Sequence, residues 1–250
     1  MLIHGLGLNR ACWQWTQPAL TDRYRVLAYD LYGHGQSPVP PGPPSLALFS
    51  AQIQGVMDHA GLRSGALVGF SLGGMIARHA AQTMPGRIAA LGILNSPHRR
   101  APDAQAAILQ RVAQARTNGP AATVEDALER WFTDSFRADH PAVMDLVRGW
   151  VMANDISVYH TIYSVFATGI DDIVQPDPPI ACPAFVLTGD EDFGNGPQMA
   201  RAIASEIDGA ELHILQNLRH MALAEDPGAV NIPLRRFLDR VTQPNPGDQT

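Results

Sequence analysis

One serine of this chain lies between glycines directly after an apolar segment. Residues 69–73 read Gly-Phe-Ser-Leu-Gly. Residues 66–70 are typical of a short buried strand, and residues 72–84 have the pattern of a helix that stops before Pro85. A serine at a sharp turn from strand to helix presents its hydroxyl above the sheet, beside the backbone N–H groups of the helix start. The pattern therefore predicts that Ser71 is a nucleophile.

A serine hydroxyl is a weak nucleophile at neutral pH and needs a base to take its proton. The chain has nine histidines. His220 lies in a loop between the last predicted strand and the last predicted helix, and no histidine follows it. In a triad built on this kind of turn, the base follows the acid in chain order. We therefore expect His220 to be the base.

Three acidic residues are candidates for orienting the imidazole. Asp190, Glu191 and Asp192 come directly after the strand-like residues 184–188. The carboxyl end of a parallel strand is where sites of α/β proteins form, and a carboxylate there stabilises the charged form of the imidazole. Spacing alone leaves all three acids open.

Attack on a carbonyl creates an oxyanion, which needs hydrogen-bond donors already in place. One expected donor is the N–H of Leu72, the residue after the nucleophile. The second donor is expected from the loop His4-Gly-Leu-Gly7 after the first apolar segment, and we assign it to the N–H of Leu6. His4 itself is expected to anchor this loop through hydrogen bonds.

The elements that must position these residues alternate between strand-like and helix-like segments. This alternation predicts an α/β fold with a mostly parallel sheet flanked by helices. Residues 102 to about 173 contain helical patterns and no strand-like segment. We therefore predict an α/β core of residues 1–100 and 174–241, a helical cap of residues 101–173 and a flexible tail of residues 242–250. The predicted strands are residues 2–3, 25–30, 66–70, 90–95, 184–188 and 211–215.

The sequence resembles the α/β-hydrolase superfamily, particularly its small serine esterases and 3-oxoadipate enol-lactonase-like members. The resemblance covers residue 3 to about residue 238 and rests on HGLG at 4–7, DLYGHGQS at 30–37, GFSLGG at 69–74, GDED at 189–192 and His220. In that family the acid stands three residues after the glycine that ends its strand, which implies Asp192. The helical insertion matches the family's cap. Family members usually have two more strands before the HG loop, so the first two strands of the family fold are expected to be missing.

The cap is expected to shape the substrate pocket. Four aromatic residues are assigned to the pocket wall: Trp131, Trp150, Tyr163 and Phe166. Their helical spacing fits packing of the cap equally well. Three arginines, Arg10, Arg99 and Arg100, are candidates for binding a substrate carboxylate, although such arginines are more often solvated surface groups.

Composition excludes several kinds of chemistry and partner. The 250 residues carry a net charge of −6 and include no lysine, which excludes Schiff-base chemistry and a Ser–Lys pair. The acidic balance and the lack of a long apolar run argue against nucleic-acid and membrane partners. Two cysteines, Cys12 and Cys182, are too few for a disulfide framework or a zinc cage. We therefore expect a cytoplasmic protein that needs no metal or other cofactor.

The predicted function is hydrolysis of a carboxylic ester or lactone of a small molecule through an acyl-enzyme on Ser71, His220 and Asp192. The motifs leave C–C bond hydrolysis, acyl transfer and perhydrolysis on the same triad open. An alternative of another class is a ligand-binding signalling module with low turnover. Whether the protein is a monomer or a homodimer also stays open.

Overall fold

A single parallel sheet organises the computed structural model, which describes residues 1–242. Its strands are β1 Leu2–Ile3, β2 Ala28–Tyr29, β3 Gly65–Phe70, β4 Ile88–Leu94, β5 Ala184–Gly189 and β6 Glu211–Leu215. They lie in the order β2-β1-β3-β4-β5-β6, and every neighbouring pair is parallel. The fold class predicted from the alternating segments is confirmed. The predicted tail lies outside the described residues except for Thr242.

Helices cover both faces of this sheet. The α-helices of residues 1–242 are α1 Leu46–His59, α2 Leu72–Thr83, α3 Pro102–Asn118, α4 Val124–Trp131, α5 Asp134–Asp139, α6 Pro141–Met152, α7 Ile156–Thr168, α8 Pro197–Ser205, α9 Ala222–Glu225 and α10 Pro227–Val241. Among them, none combines the length and the hydropathy needed to cross a membrane.

Side chains of the strands alternate between two apolar layers, because successive residues of a strand point to opposite faces. In β3, Leu67 belongs to the layer that also contains residues of α1, α2 and α8. The neighbouring Val68 belongs to the layer that contains residues of α10. Trp13 and Phe132, both fully buried, lie in this second layer. The sheet is therefore buried on both faces, and its carboxyl edge is free to carry a site.

Strand β2 is shorter than the predicted strand of residues 25–30. It pairs with β1, which has only two residues, Leu2 and Ile3. The paired part of β2 is therefore equally short. The N–H of Leu2 also donates to the carbonyl oxygen of Leu27 (2.8 Å). Within the described residues, β2 is an edge of the sheet.

The segment between β4 and β5 is helical, as predicted, and consists of α3 to α7 with short 3-10 turns. Helix α5 was not predicted. Apolar side chains of this segment pack into both layers: Ile108 and Ile162 belong to one, Phe132 and Val147 to the other. The division of the chain into a core and a cap stays a prediction.

The close approach of α2 to the start of the sheet gives a testable consequence. A Cβ atom on Gly73 would lie 2.1 Å from the carbonyl oxygen of Ile3. We expect Gly73→Ala to lower the free energy of unfolding by about 1–3 kcal/mol or more, because rigid backbone must move apart. Urea unfolding followed by circular dichroism measures this.

The matched control is Gly55→Ala in the middle of α1, where nothing lies within 4 Å of the added methyl group. This change should raise the free energy of unfolding by roughly 0.5–1 kcal/mol, since alanine favours a helix over glycine. A Gly73→Ala variant as stable as the native protein would contradict the packing described.

Candidate active site

Ser71 lies at the turn between β3 and α2 in a strained backbone conformation. Its φ of 55° and ψ of −115° cost a non-glycine residue of order 1–3 kcal/mol. Two hydrogen bonds hold the turn. The Ser71 N–H donates to the carbonyl oxygen of Leu94 (2.8 Å), and the Ser96 hydroxyl donates to the carbonyl oxygen of Ser71 (2.9 Å). Gly69 must lack a side chain, because a Cβ there would lie 2.1 Å from the carbonyl oxygen of Gly73. The turn therefore fixes the direction in which the Ser71 side chain leaves the backbone.

Asp192 lies in the loop after β5, and its buried carboxylate accepts four hydrogen bonds. Oδ2 accepts from Nδ1 of His220 (2.7 Å) and from the side-chain amide of Asn95 (3.0 Å). Oδ1 accepts from the N–H groups of Gly194 (3.1 Å) and Asn195 (2.9 Å). Burial opposes ionisation, but the imidazole and the donated hydrogen bonds outweigh burial and lower the pKa of Asp192. Asp192 is therefore a carboxylate held in one orientation.

The other two acids of this loop lie elsewhere. Glu191 faces Arg219, with 3.6 Å between Oε2 and Nε. Asp190 is half-buried, and its Oδ1 has no hydrogen-bond partner in the part of the chain that the structure describes. The structure thus brings Asp192 to His220, and it does not bring Asp190 or Glu191 there.

His220 is buried in the loop between β6 and α9. Its ring contacts those of Phe70 and Trp131, with centroids 4.9 and 5.8 Å away. Because Nδ1 donates to Asp192, Nε2 is the proton acceptor of the neutral ring. Ser71 and His220 line one pocket, and across residues 1–242 no hydrogen bond joins the hydroxyl to the imidazole. Catalytic hydrogen bonds often close only when substrate binds.

Two backbone N–H groups are available as oxyanion donors. Leu72 is the first residue of α2, so the helix offers its N–H no acceptor. Leu6 lies in the loop after β1, which passes close to Ser71: a Cβ on Gly5 would lie 3.1 Å from Cβ of Ser71. Neither N–H donates to a protein acceptor among the described residues. Both predicted donors are thus without a protein acceptor in residues 1–242, and Leu6 also lines the pocket of Ser71 and His220.

Neutral histidines hold the loop that carries Leu6. The N–H of Leu31 donates to Nε2 of His4 (2.9 Å), and the N–H of Gly7 donates to Nε2 of His34 (3.0 Å). Burial lowers the pKa of His4 to about 4 and the pKa of His34 to about 3. Both rings therefore stay uncharged acceptors at neutral pH, and His4 anchors the loop as expected.

A pocket that is partly open to solvent has Ser71 and His220 in its wall. Trp131, Tyr163 and Phe166 line it as predicted. Trp150 does not, because it lies on α6 and packs against Trp15, with ring centroids 6.0 Å apart.

The three arginines that were candidates for binding a substrate carboxylate lie in different places in the structure. Arg10 is exposed and lies 3.9 Å from the carboxylate of Asp30. Arg99 is exposed and lies 3.7 Å from Asp171. Arg100 lines the pocket. The sequence reasoning missed two further arginines of the pocket wall, Arg111 and Arg130, since a helix pattern does not show which of its polar faces meets a pocket.

Sequence reasoning also missed the residues that support Asp192. The Asn195 side chain donates to the carbonyl oxygen of Asn95 (2.9 Å). The Thr188 hydroxyl donates to the carbonyl oxygen of Asn195 (2.8 Å). Asn95 follows β4, the neighbour of β5. Its position at the carboxyl edge of the sheet could therefore have indicated that it lies near the acid. The contact of Asn195 depends on loop conformation.

Comparison with known proteins establishes the family. Residues 1–227 match the family model described as the alpha/beta hydrolase fold, and the chain belongs to this family. The (E)-2-((N-methylformamido)methylene)succinate hydrolase of Acinetobacter baylyi is 31% identical over 96% of this chain and 89% of its own length. The 3-oxoadipate enol-lactonase 2 of the same organism is 25% identical, over 95% and 87%. The solved enol-lactonase of Burkholderia xenovorans gives a TM-score of 0.88 at 28% identity, covering 95% of this chain and 90% of its own. The resemblance predicted from the motifs is confirmed.

The buried histidines predict how stability depends on pH. An unfolded histidine binds a proton below its ordinary pKa of about 6.5, whereas folded His34 stays neutral down to about pH 3. The unfolded state therefore binds more protons, and each such histidine costs up to about 1.4 kcal/mol of stability per pH unit below about 6.5. We expect His34→Gln, which keeps an acceptor for Gly7, to lose stability less steeply on acidification.

Urea unfolding between about pH 7 and pH 4 measures these slopes. His59→Gln, at an exposed position on α1, serves as the control and should keep the native slope. Equal slopes for the native protein and His34→Gln would contradict a neutral, buried His34.

Proposed function

We propose that this protein is a serine hydrolase that cleaves a carboxylic ester or lactone of a small molecule through an acyl-enzyme. The observation that carries the proposal is the 2.7 Å hydrogen bond from Nδ1 of His220 to Asp192 at the pocket that Ser71 also lines. Membership of a hydrolase family supports it. The names of the two lactonases among the similar proteins support the lactone part.

In this mechanism His220 Nε2 takes the proton of Ser71 as the hydroxyl oxygen attacks the substrate carbonyl. The N–H groups of Leu6 and Leu72 hold the oxyanion, and Asp192 stabilises the imidazolium that forms. His220 then donates its proton to the leaving alcohol oxygen, which leaves an acyl group on Ser71. Water, activated by His220, attacks this ester and releases the acid. Every catalytic group in the cycle belongs to the protein, and water is the second reactant.

A panel of chromogenic esters of increasing acyl length, with lactones alongside, tests the reaction class. We expect turnover that Ser71→Ala lowers by about 10⁴-fold or more, since the covalent route is lost. Ser205→Ala, an exposed serine on α8, is the control and should keep native rates. A fluorophosphonate probe should label Ser71, as read by peptide mass spectrometry.

Folded protein in which the probe leaves Ser71 unlabelled would contradict the nucleophile. Labelling of Ser71 without turnover of any ester or lactone would contradict the reaction class. It would favour C–C bond hydrolysis, acyl transfer or slow turnover by a ligand-binding module.

The three acids after β5 give a second prediction. Asp192→Asn should lower kcat by about 10³- to 10⁴-fold, because the amide no longer stabilises the imidazolium or selects the reactive tautomer. Asp190→Asn should change kcat by less than about 3-fold, because Asp190 does not contact His220. Steady-state kinetics on one ester, with melting temperatures to show folding, compares them. A larger loss in Asp190→Asn than in Asp192→Asn would overturn the assignment.

A further inference from the structure

Three guanidinium groups face the pocket that contains Ser71 and His220. Arg100 comes from the loop after β4, Arg111 from α3 and Arg130 from α4, and all three are half-buried. Two other arginines of the helical segment pair with acids, Arg137 with Asp134 (2.9 Å) and Arg148 with Glu125 (2.6 Å), whereas the exposed Arg116 has no ion pair among the described residues. Arg100, Arg111 and Arg130 form no ion pair with any carboxylate of residues 1–242.

The protein satisfies only part of their hydrogen-bonding capacity. Arg111 Nε donates to the hydroxyl of Tyr163 (3.2 Å). Arg100 donates to the carbonyl oxygens of Phe166 (3.3 Å) and Ala167 (3.5 Å) and lies over the Phe166 ring, 4.9 Å from the centroid. Arg130 makes no side-chain hydrogen bond to a described residue. Each guanidinium has five N–H donors, so several donors remain for a ligand.

Like charges in a half-buried wall are unfavourable. Burial is the main cause that lowers the pKa of Arg100 to about 10; Tyr163 opposes this shift, and the charge of Arg111 adds to it. Burial and Arg111 also lower the pKa of Arg130, although Asp126 on α4 opposes this. Both arginines remain protonated at neutral pH. An anion that enters the pocket would relieve this repulsion directly, whereas Asp126 offsets it only for Arg130 and forms no ion pair with it.

We propose that Arg100, Arg111 and Arg130 form a carboxylate subsite, so that the preferred ester or lactone carries a free carboxylate away from its reacting carbonyl. The proposal rests on the proposed function, since it names the substrate class of that site. The fork of a guanidinium matches a carboxylate with two parallel hydrogen bonds. Ile108, Tyr159 and Phe166 line the same pocket and suit the hydrocarbon that would link the two groups.

Matched esters test the subsite through catalysis. The probes are the monomethyl esters of glutaric, adipic and pimelic acid, each compared with the methyl ester of the corresponding monoamide, which is equal in shape and uncharged. For at least one chain length, kcat/KM should be about 10- to 100-fold higher for the carboxylate, as expected for charge-assisted hydrogen bonds. Arg111→Gln and Arg130→Gln should each remove about 10-fold or more of this preference, with little change for the amide ester.

Arg116→Gln is the matched control, because Arg116 lies on the same helix as Arg111 and is exposed. It removes the same charge and should leave the preference unchanged. Equal kcat/KM for the charged and neutral esters at every chain length would overturn the subsite. An equal loss of preference in Arg116→Gln would also overturn it, since the effect would then come from overall charge.

Binding measured without turnover separates this subsite from the proposed function. Calorimetry on Ser71→Ala should show binding of glutarate, adipate or pimelate, weakened by about 10-fold or more when Arg111→Gln is added. Inorganic phosphate that binds more tightly than all three diacids would overturn the assignment to a carboxylate. Diacid binding without any ester or lactone turnover would defeat the proposed function alone. Ester turnover with neither diacid binding nor charge preference would defeat the subsite alone.

Discussion

The hydrogen bond between His220 and Asp192 is the contact on which the rest of the site depends. It places the proton on Nδ1 and leaves Nε2 as the acceptor. The two loops that carry these side chains are packed together: a Cβ on Gly189, at the end of β5, would lie 2.0 Å from the carbonyl oxygen of Leu218. A loop in this close contact has little freedom to turn the imidazole away. The sheet edge therefore sets the geometry of the His220–Asp192 pair.

The loop that contains His220 also forms hydrogen bonds with the wall of the pocket. Arg219, next to His220, donates to the carbonyl oxygens of Glu129 (2.9 Å) and Phe132 (2.8 Å) at the end of α4. Glu225 accepts from the N–H groups of Thr133 (2.6 Å) and Arg219 (2.9 Å). The end of α4, which lines the pocket, and the loop of His220 thus share one hydrogen-bond network. We infer that changes in the wall of the pocket reach the imidazole through these bonds.

Local sequence patterns predicted the elements and the nucleophile turn because glycine spacing and apolar runs act over a few residues. The choice of Asp192 over Asp190 and Glu191 came from the resemblance, since all three follow the same strand. Arg111 and Arg130 line the pocket and Trp150 packs on Trp15 instead, and these positions depend on how the helices between β4 and β5 are rotated about their axes. The helical periodicity of these residues fits either face, so packing between distant segments decides which face meets the pocket.

The most direct test of the central claim is a crystal structure of the protein after reaction with a phosphonate inhibitor. We predict phosphorus bonded to Ser71 Oγ, with one phosphoryl oxygen about 2.7–3.1 Å from the N–H groups of both Leu6 and Leu72. His220 Nε2 should lie within hydrogen-bond reach of the adduct while Nδ1 keeps its bond to Asp192. Phosphorus on another residue, or an imidazole turned away from the adduct in folded protein, would contradict the account.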